Sequence, residues 1–317
     1  MVKCAVCNAE FENDRKLHAH LKAHKLRMVE YYQKYYPRYD KYDGKIIKFK
    51  NKKQYFETEF NSRTNLRMWL KNSPIEEAKQ YCKDILQKRK QEKELTYAPT
   101  QVELRTLIFP PIQYYNEIFG DYYALCRELG FKTKHNIPEE IVAGSQWQSP
   151  EYEVLVDTRE QRPLKFKNRN VKIMKLDYGD YAFSSSEASC KAFIERKAVG
   201  DFLATISGGY ERFQREIQRS VDDEANLIVI VEQKLSKILY FNQQRKKNTG
   251  GLVYGKVKAT PEFIFHRVRS LCQQYPSIQF LFVDGKTESS RVIEKIFTSG
   301  CIHKKVDLQL AYDTKKL

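Results

Sequence analysis

Four acidic residues stand at or near the ends of consecutive predicted elements in the C-terminal half, and they constrain the fold more than any other feature. They are Asp157, Asp180, Glu195 and Asp201. Residues 171–178 and 191–197 have the apolar and β-branched character of strands, with a serine-rich turn at 184–186. We predict that the two strands form an antiparallel hairpin. The hairpin would bring Asp180 close to Glu195.

Two neighbouring carboxylates repel each other unless a cation lies between them. Oxygen ligands of this kind favour Mg²⁺ or Mn²⁺, which can polarise a phosphoryl oxygen and lower the pKa of a bound water. Side chains alternate along a strand, so Glu195 and Lys197 face one side and Arg196 the other. Lys197 can then orient the water or stabilise developing charge. The competing interpretation is a surface hairpin with a salt bridge.

The order of these motifs resembles the nuclease domain of the XPF family of structure-specific endonucleases, a branch of the PD-(D/E)xK nucleases. The family pattern of GD, a gap, ERK, three residues and D is matched by Gly179, Asp180, Glu195, Arg196, Lys197 and Asp201. An earlier strand ends in Asp157, and Arg159 and Glu160 follow it. The resemblance covers about residues 151–300. It implies an α/β restriction-endonuclease-like domain with a central mixed sheet.

The same resemblance implies metal-dependent hydrolysis of DNA phosphodiesters. It assigns catalysis to Asp157, Asp180, Glu195, Lys197 and Asp201, with support from Arg159, Glu160 and Arg196. It assigns magnesium binding to Asp157, Asp180 and Glu195. Family members usually form dimers, and a homodimer through the nuclease domain is expected. They also usually carry a tandem helix-hairpin-helix module after the nuclease. We expect none here, because the sequence ends at Leu317, and we expect targeting from the N-terminal side.

The segments after Asp201 support an α/β layer. Apolar residues recur at helical spacing on both sides of a break at Gly208–Gly209, and residues 226–232 and 278–283 are continuous apolar runs typical of buried strands. Thr260 is a predicted N-cap, before a proline. The intervening loop is basic, at Arg245, Lys246 and Lys247. It is either a clamp on the DNA backbone or an ordinary solvated loop.

The N-terminus carries a second strong pattern, Cys4-x2-Cys7 followed by His20-x3-His24, which is typical of a two-Cys two-His ββα zinc finger. A segment of about 25 residues cannot bury enough surface to fold alone, so Zn²⁺ would supply the folding energy. By analogy with DNA-binding fingers, the residues expected to face bases are Asn13, Lys16 and Ala19. A single finger covers only ~3 base pairs. A protein-docking or structural role is the alternative.

The region between finger and nuclease is predicted to be basic and mainly helical. Tyrosines and basic residues alternate over residues 31–42, which is typical either of stacking on nucleic-acid bases or of an amphipathic helix that buries its tyrosines. Residues 118–131 are similar to the DNA-binding repeat associated with homing endonucleases, and a plain helical pair is the alternative. We predict a finger at 1–26, a DNA-binding region at 27–140, a linker at 141–150 and a nuclease domain at 151–317.

The composition agrees with a polyanionic partner. The 317 residues have a formal net charge of +16, so DNA is the expected partner and its binding should be salt-sensitive. No apolar run is long enough to span a membrane, and no secretory signal is visible. Five cysteines remain beyond the finger: Cys82, Cys126, Cys190, Cys272 and Cys301. We predict that they are free thiols in a reducing, cytoplasmic, DNA-associated protein.

Three classes of function compete. The first is a metal-dependent DNA endonuclease targeted by its N-terminal half, as in phage or mobile-element enzymes, or by branched and flap structures, as in DNA repair or recombination. The second is a catalytically inactive DNA-binding scaffold, which should lack Asp180, Glu195 or Lys197, and all three are present. The third is an RNA nuclease or another metal-dependent phosphodiesterase.

Overall fold

The structure is a computed structural model and describes residues 1–139, 141, 152–167, 169–184, 192–241 and 259–317. The chain divides into two compact units. The first comprises residues 1–82 and 108–110, and the second comprises residues 83–107 and 111–317. The predicted boundaries of the finger, linker and nuclease domain stay predictions, and most of the predicted linker lies outside the described residues.

The first unit begins with a ββα element. Strands β1 (Val2–Lys3) and β2 (Glu10–Phe11) pair antiparallel, and helix α1 (Asp14–His20) continues into a 3-10 turn (Leu21–His24). The Asn13 side chain caps α1 by accepting from the Lys16 N–H at 3.1 Å. The predicted ββα fold of the finger is therefore confirmed.

The finger does not depend on its own few apolar residues alone. Three further helices follow it in this unit, α2 (Met28–Tyr35), α3 (Lys52–Glu57) and α4 (Arg63–Asn72), and α5 (Ile75–Lys93) begins here. Leu17 and Leu21 of the finger share one core with Tyr31, Tyr32 and Tyr55. In the tyrosine-rich segment, some tyrosines are buried in this core and others, such as Tyr39, are exposed, and the predicted stacking on bases stays a prediction.

The second unit opens with helices, as predicted for the middle region. They are the remainder of α5, α6 (Gln101–Arg105), α7 (Ile112–Phe119) and α8 (Tyr122–Glu128). Thr100 caps α6 through a reciprocal pair of bonds with Glu103. These helices join the nuclease region through buried polar contacts. The Gln101 N–H donates to Asp307 at 2.7 Å, and Arg105 pairs with Asp313 at 2.5 Å.

A six-stranded mixed sheet forms the centre of the second unit. Its strands are β3 (Glu153–Asp157), β4 (Val171–Met174), β5 (Tyr181–Ser184), β6 (Ala192–Lys197), β7 (Asn226–Val231) and β8 (Gln279–Phe282), in the order β4-β3-β5-β6-β7-β8. Strands β3 and β5 and strands β5 and β6 are antiparallel, and the other neighbours are parallel. The predicted central mixed sheet is confirmed.

Helices cover both faces of this sheet. They are α9 (Val199–Ser207), α10 (Tyr210–Asp222), α11 (Leu235–Ile238), α12 (Pro261–Gln274), α13 (Lys286–Thr298) and α14 (Leu308–Asp313), with a 3-10 turn at Gly300–Lys304. Along β7, Leu227 and Val229 join the core formed with α9, α10 and α12, whereas Ile228 and Ile230 join the core formed with α13 and α14. This alternation explains why the whole strand is apolar.

The predicted hairpin is wrong in one strand. Residues 171–174 form the edge strand β4, which pairs parallel with β3, and all four are exposed. The partner of β6 is instead Tyr181–Ser184, which begins directly after Asp180. A strand of four residues offers too little alternation to be recognised in the sequence. Asp180 therefore lies at the start of the strand next to β6 and is still brought beside it.

One cysteine prediction is also wrong. Cys301 is disulfide-bonded, whereas Cys82, Cys126 and Cys272 are free and buried. Cys190 lies outside the described residues. Spacing along the chain does not indicate which thiols a fold brings together.

Among the described helices, none is both long enough and apolar enough to cross a membrane.

Candidate active site and metal centre

The finger brings its four predicted ligands together. One ligand atom from each of Cys4, Cys7, His20 and His24 lies within 4.8 Å of all the others. The Nε2 atom of His20 is 3.2 Å from the Cys7 sulfur and 3.0 Å from Nε2 of His24. Two thiolates and two imidazoles at such separations fit a tetrahedral Zn²⁺. His18 points elsewhere, to the Tyr32 hydroxyl at 3.0 Å.

Of the three finger residues predicted to face DNA, Asn13 and Lys16 have protein partners and Ala19 is exposed. Asn13 caps α1, and the Lys16 ammonium pairs with Glu12 at 2.7 Å. A capping side chain is not free to contact a base without losing its bond to the helix. The basic loop at Arg245, Lys246 and Lys247 lies outside the described residues.

The turn before β5 explains the Gly-Asp pair of the C-terminal motif. Gly179 has φ +61°, and a Cβ placed on it would lie 2.6 Å from the Ile194 carbonyl oxygen. Only glycine allows this backbone conformation together with this close approach to β6. The approach lets the Asp180 N–H donate to the Ile194 carbonyl at 2.7 Å. Asp180 is thereby fixed beside the ERK segment.

Strand β6 presents its functional residues on two faces, as predicted. On one face the Lys197 ammonium lies 2.6 Å from a Glu195 oxygen, and both side chains are largely buried. On the other face Arg196 pairs with Glu160 at 3.3 Å and with Glu232 at 3.1 Å. The ion pairs of Arg196 hold β6 in place, while Glu195 and Lys197 face the site.

Asp180 is the most strongly perturbed of the predicted acids. Burial raises its pKa to about 7, and the charges of Glu195 and Glu160 add to the increase. A hydrogen bond from the Arg196 N–H to an Asp180 oxygen, at 2.7 Å, and the charge of Lys197 oppose it. Buried, mutually repelling acids beside a lysine are typical of functional sites.

Asp157 has a different environment. Its side chain is 1% exposed, and its oxygens accept from the Arg159 N–H at 2.8 Å, from the guanidinium at 2.6 and 3.0 Å and from the Leu176 N–H at 2.7 Å. The side-chain bonds from Arg159 lower its pKa to about 2. Asp157 thus ties the end of β3 to the loop that follows, and its role as a magnesium ligand stays a prediction.

The remaining predicted acids lie at different distances from this centre. Glu160 contributes to the charge around Asp180 and pairs with Arg196. Asp201 is exposed in the first turn of α9. Within the described residues, the finger is the only group of three or more Cys, His, Asp and Glu residues whose ligand atoms lie this close together. The structure therefore gathers Asp180, Glu195 and Lys197, but not the full predicted set.

The sequence interpretation missed Glu216, on helix α10. The Tyr178 hydroxyl donates to the Arg219 carbonyl at 3.2 Å and so holds this helix beside the Gly179–Asp180 turn. The Lys197 ammonium lies 5.8 Å from the ring centroid of Phe213. Glu216 is one helical turn beyond Phe213 and shares its face.

The electrostatic environment of Glu216 agrees with this position. Burial raises its pKa, the charge of Glu195 adds to the increase, and the charges of Lys197 and Arg159 oppose it. Glu216 is thus a further acid at the same site. The sequence gives only a weak indication of this role. Glu216 stands beside the buried residues Phe213 and Ile217, but the rest of the helix is also highly charged.

Comparisons with known proteins find similar structures and one matching family. Among solved structures, the chain is similar to XPF from Aeropyrum pernix in complex with DNA, at 21% sequence identity and a TM-score of 0.33, covering 45% of this chain and 62% of that chain. A second structure, XPF from Aeropyrum pernix, matches at 19% identity and a TM-score of 0.33, covering 46% of this chain and 63% of that chain. The chain thus spans about three fifths of the length of these chains.

No curated protein matches the sequence. The family model described as the ERCC4 domain matches residues 156–296. This range contains Asp157, Asp180, Glu195 and Lys197 and falls within the segment predicted to resemble the XPF nuclease domain, so that resemblance is confirmed. Residues 156–296 of this chain are therefore similar to the ERCC4 domain.

Proposed function

We propose that the protein is a metal-dependent endonuclease that hydrolyses DNA phosphodiester bonds at the Asp180, Glu195 and Lys197 site. The observation that carries the proposal is the buried pair of Asp180 and Glu195, with Lys197 2.6 Å from Glu195. The match of residues 156–296 to the ERCC4 domain supports it.

The acids present fit a hard divalent cation. Asp180 and Glu195 offer neighbouring carboxylate oxygens, which Mg²⁺ and Mn²⁺ prefer, and the raised pKa of Asp180 reflects its burial and the negative charges of Glu195 and Glu160 beside it. Such an ion supplies polarisation of a phosphoryl oxygen and a lower pKa for bound water. Asp157 would join Asp180 and Glu195 as a ligand only by exchanging its bonds to Arg159.

The protein's own residues supply positioning and charge. Lys197 pairs with Glu195, and its ammonium has a fixed place on the site face of β6. If Glu195 held a cation, the Lys197 ammonium would be available to orient a water or to stabilise negative charge on the phosphate. Arg196 stays on the opposite face with Glu160 and Glu232 and keeps the strand in register.

The catalytic assignment is tested by Asp180→Ala and Lys197→Ala. Each should lower the rate of magnesium-dependent DNA cleavage by about a thousandfold or more, while DNA affinity stays within about twofold. Asp177→Ala and Lys237→Ala are matched controls, because both residues are exposed. Full activity in both site variants would contradict the catalytic assignment. If the wild-type protein cleaved no DNA in Mg²⁺ or Mn²⁺, the hypothesis of an inactive scaffold would be supported.

Targeting is a separate part of the proposal. We propose that the zinc finger and the basic helical region direct the enzyme to DNA, as in a phage or mobile-element nuclease. The ERCC4 match favours the alternative, cleavage of flaps and branched DNA in repair or recombination. Cleavage of linear duplex, plasmid, flap and four-way-junction DNA in Mg²⁺ separates the two. If the enzyme preferred flaps or junctions whatever their sequence, cleavage directed by DNA structure would be supported and targeting by the finger would be rejected.

The proposal also covers the oligomeric state, the location in the cell and the choice between DNA and RNA. Light scattering would detect a homodimer through the nuclease domain. Variants of this domain that are monomeric would then be compared with the wild type for their rate of cleavage. A cytoplasmic, DNA-associated location is consistent with a DNA substrate and would be checked by fractionation. RNA of the same sequence, tested beside DNA, addresses the RNA-nuclease alternative.

A further inference from the structure

A short hairpin in the first unit, residues 38–47, has an outer face that does not pack into the core of the unit. We call it the tyrosine hairpin. Tyr39 and Ile46 are directly opposite each other in an antiparallel bridge. The flanking bonds run from the Asp40 N–H to the Lys45 carbonyl and from the Ile47 N–H to the Arg38 carbonyl, both at 2.8 Å. Tyr39 and Ile46 thus form a non-hydrogen-bonded pair, in which facing side chains come closest.

The inner face of the tyrosine hairpin is anchored to the core. Ile47 is buried in the aromatic cluster that contains Tyr31 and Tyr55. The Arg38 guanidinium donates to the Tyr55 carbonyl at 2.8 Å and also to the Phe56 carbonyl. Because this face is bound, the opposite face with Tyr39 and Ile46 has a fixed direction towards solvent.

A buried carboxylate fixes the loop of the hairpin as well. Asp40 is 2% exposed. Its oxygens accept from the Tyr42 N–H at 2.9 Å, the Asn61 N–H at 2.5 Å and the Asn65 amide at 2.8 Å. A loop held by this number of bonds to a charged acceptor loses little conformational entropy when it binds a partner.

The outer face is aromatic and apolar, and it belongs to a unit of net positive charge. Tyr39 is 60% exposed, and Tyr42 and Ile46 are each 40% exposed. Lys48, two residues beyond Ile46, is exposed. Residues 1–82 contain 18 Lys and Arg against 10 Asp and Glu. Exposed rings on a rigid, positively charged surface are what unpaired nucleic-acid strands bind, since a base stacks on the ring while the phosphates meet the lysines.

We propose that the tyrosine hairpin is a binding site for an unpaired nucleic-acid strand, with a base stacked on Tyr39. A duplex does not suit this face, because its bases are stacked on one another and offer only their edges and the backbone. The positive charge of the unit favours a polyanion over a second copy of this equally basic chain. The proposal goes beyond the nuclease assignment, because it concerns binding in the other unit and requires no cleavage.

The test measures binding of the full chain to labelled oligonucleotides without added magnesium and without chelator, so that the finger keeps its metal. We expect Tyr39→Ala to weaken binding of single-stranded DNA by about tenfold and binding of duplex DNA by less than twofold. Tyr39→Trp should retain or strengthen single-strand binding, because it keeps a ring. Tyr240→Ala, at a tyrosine that is 44% exposed in the second unit, is the control and should have no effect.

Parallel arms with single-stranded DNA and RNA identify which polymer uses the site. Thermal unfolding and zinc content verify that each variant is folded. Unchanged single-strand affinity in folded Tyr39→Ala overturns the proposal, and so does an equal loss for single strand and duplex. A shift from dimer to monomer in Tyr39→Ala would assign the face to a second copy and overturn it too. Cleavage measured on the same samples is independent, so failure of the hairpin proposal leaves the nuclease proposal intact.

Discussion

The zinc finger and the proposed nuclease site both bring potential metal ligands together, but they differ in the partners that those ligands have within the protein. In the finger, the four ligand atoms lie within 4.8 Å of one another, and His20 contacts Cys7 and His24 at 3.2 and 3.0 Å. In the nuclease domain, acids have protein partners: Glu195 pairs with Lys197, and Asp157 with Arg159. We therefore expect the finger to depend on a metal ion for its structure, whereas the site of Asp180, Glu195 and Lys197 is held in place by the core of the sheet.

Removing zinc tests this comparison most strongly. Cys4→Ser should abolish zinc binding and unfold the finger, because structural zinc contributes roughly 10–16 kcal/mol in such elements. The effect should extend to Tyr31, which shares a core with Leu17 and accepts from the Ala5 N–H at 2.8 Å. Hydrogen exchange should show loss of protection over residues 1–35 and none in β7, and elemental analysis should find no zinc.

The control for zinc removal is His18→Ala. His18 contacts the Tyr32 hydroxyl and lies outside the ligand group, so this variant should keep its zinc. If the two variants bind equal amounts of zinc, the ligand assignment is wrong. If β7 also loses protection in Cys4→Ser, the two regions are not independent and the comparison fails.

Asp157→Asn tests whether this acid is a structural or a metal-binding residue. We expect a loss of about 2–3 kcal/mol in the free energy of unfolding, because an amide nitrogen would face N–H donors where a carboxylate oxygen now accepts. Since the folded pKa of Asp157 is about 2, below its ordinary value, its stabilisation is present at neutral pH and is lost as the pH falls from about 4 to 2. Urea unfolding at several pH values measures both effects.

A loss of cleavage with little change in stability would support the prediction from sequence that Asp157 is a magnesium ligand. A metal ligand replaced by an amide should lose cleavage as severely as Asp180→Ala while stability changes little. Asp177→Asn, at an exposed acid, controls for the removal of one negative charge.

Asp180→Asn should stabilise the protein in the absence of a divalent metal. The folded pKa of Asp180 is about 7, above its ordinary 3.8, so the wild type is stabilised by proton uptake at low pH and loses that stabilisation as the pH rises towards 7. Asparagine carries no charge, so the variant should be more stable by about 2 kcal/mol above pH 7 and equal to the wild type below about pH 4. Thermal unfolding at pH 4 and pH 8 measures the difference. A variant that is less stable at pH 8 would show that the charge of Asp180 is already compensated.

The local parts of both sites could be predicted from the sequence, and the tertiary parts could not. The spacing of Cys4, Cys7, His20 and His24 is set by one ββα element, and the opposite faces of Glu195 and Arg196 follow from the period of a strand. The partner of β6 could not be predicted, because β5 has only four residues and follows a turn that Gly179 alone permits. The bond between Asp157 and Arg159 is local and was visible in principle as Asp-x-Arg.

Glu216→Gln gives the smallest expected effect and sharpens the comparison within the nuclease site. If Glu195 bound a cation, Lys197 would lose part of its present partner. Glu216, like Asp180, is an acid whose charge interacts with both residues. We therefore expect cleavage to fall by about tenfold, since a nearby charge that holds the ammonium is worth about one kcal/mol. Burial raises the pKa of Glu216, so replacing it by glutamine should remove an ionisation from the acid limb of the pH–rate profile. Glu216→Asp should recover part of the activity, and Glu211→Gln, at an exposed position of the same helix, should have none of these effects. A loss of activity without a change in the pH profile would indicate that Glu216 contributes only to the packing of α10. The nuclease site would then consist of Asp180, in the turn before β5, and the residues on β6.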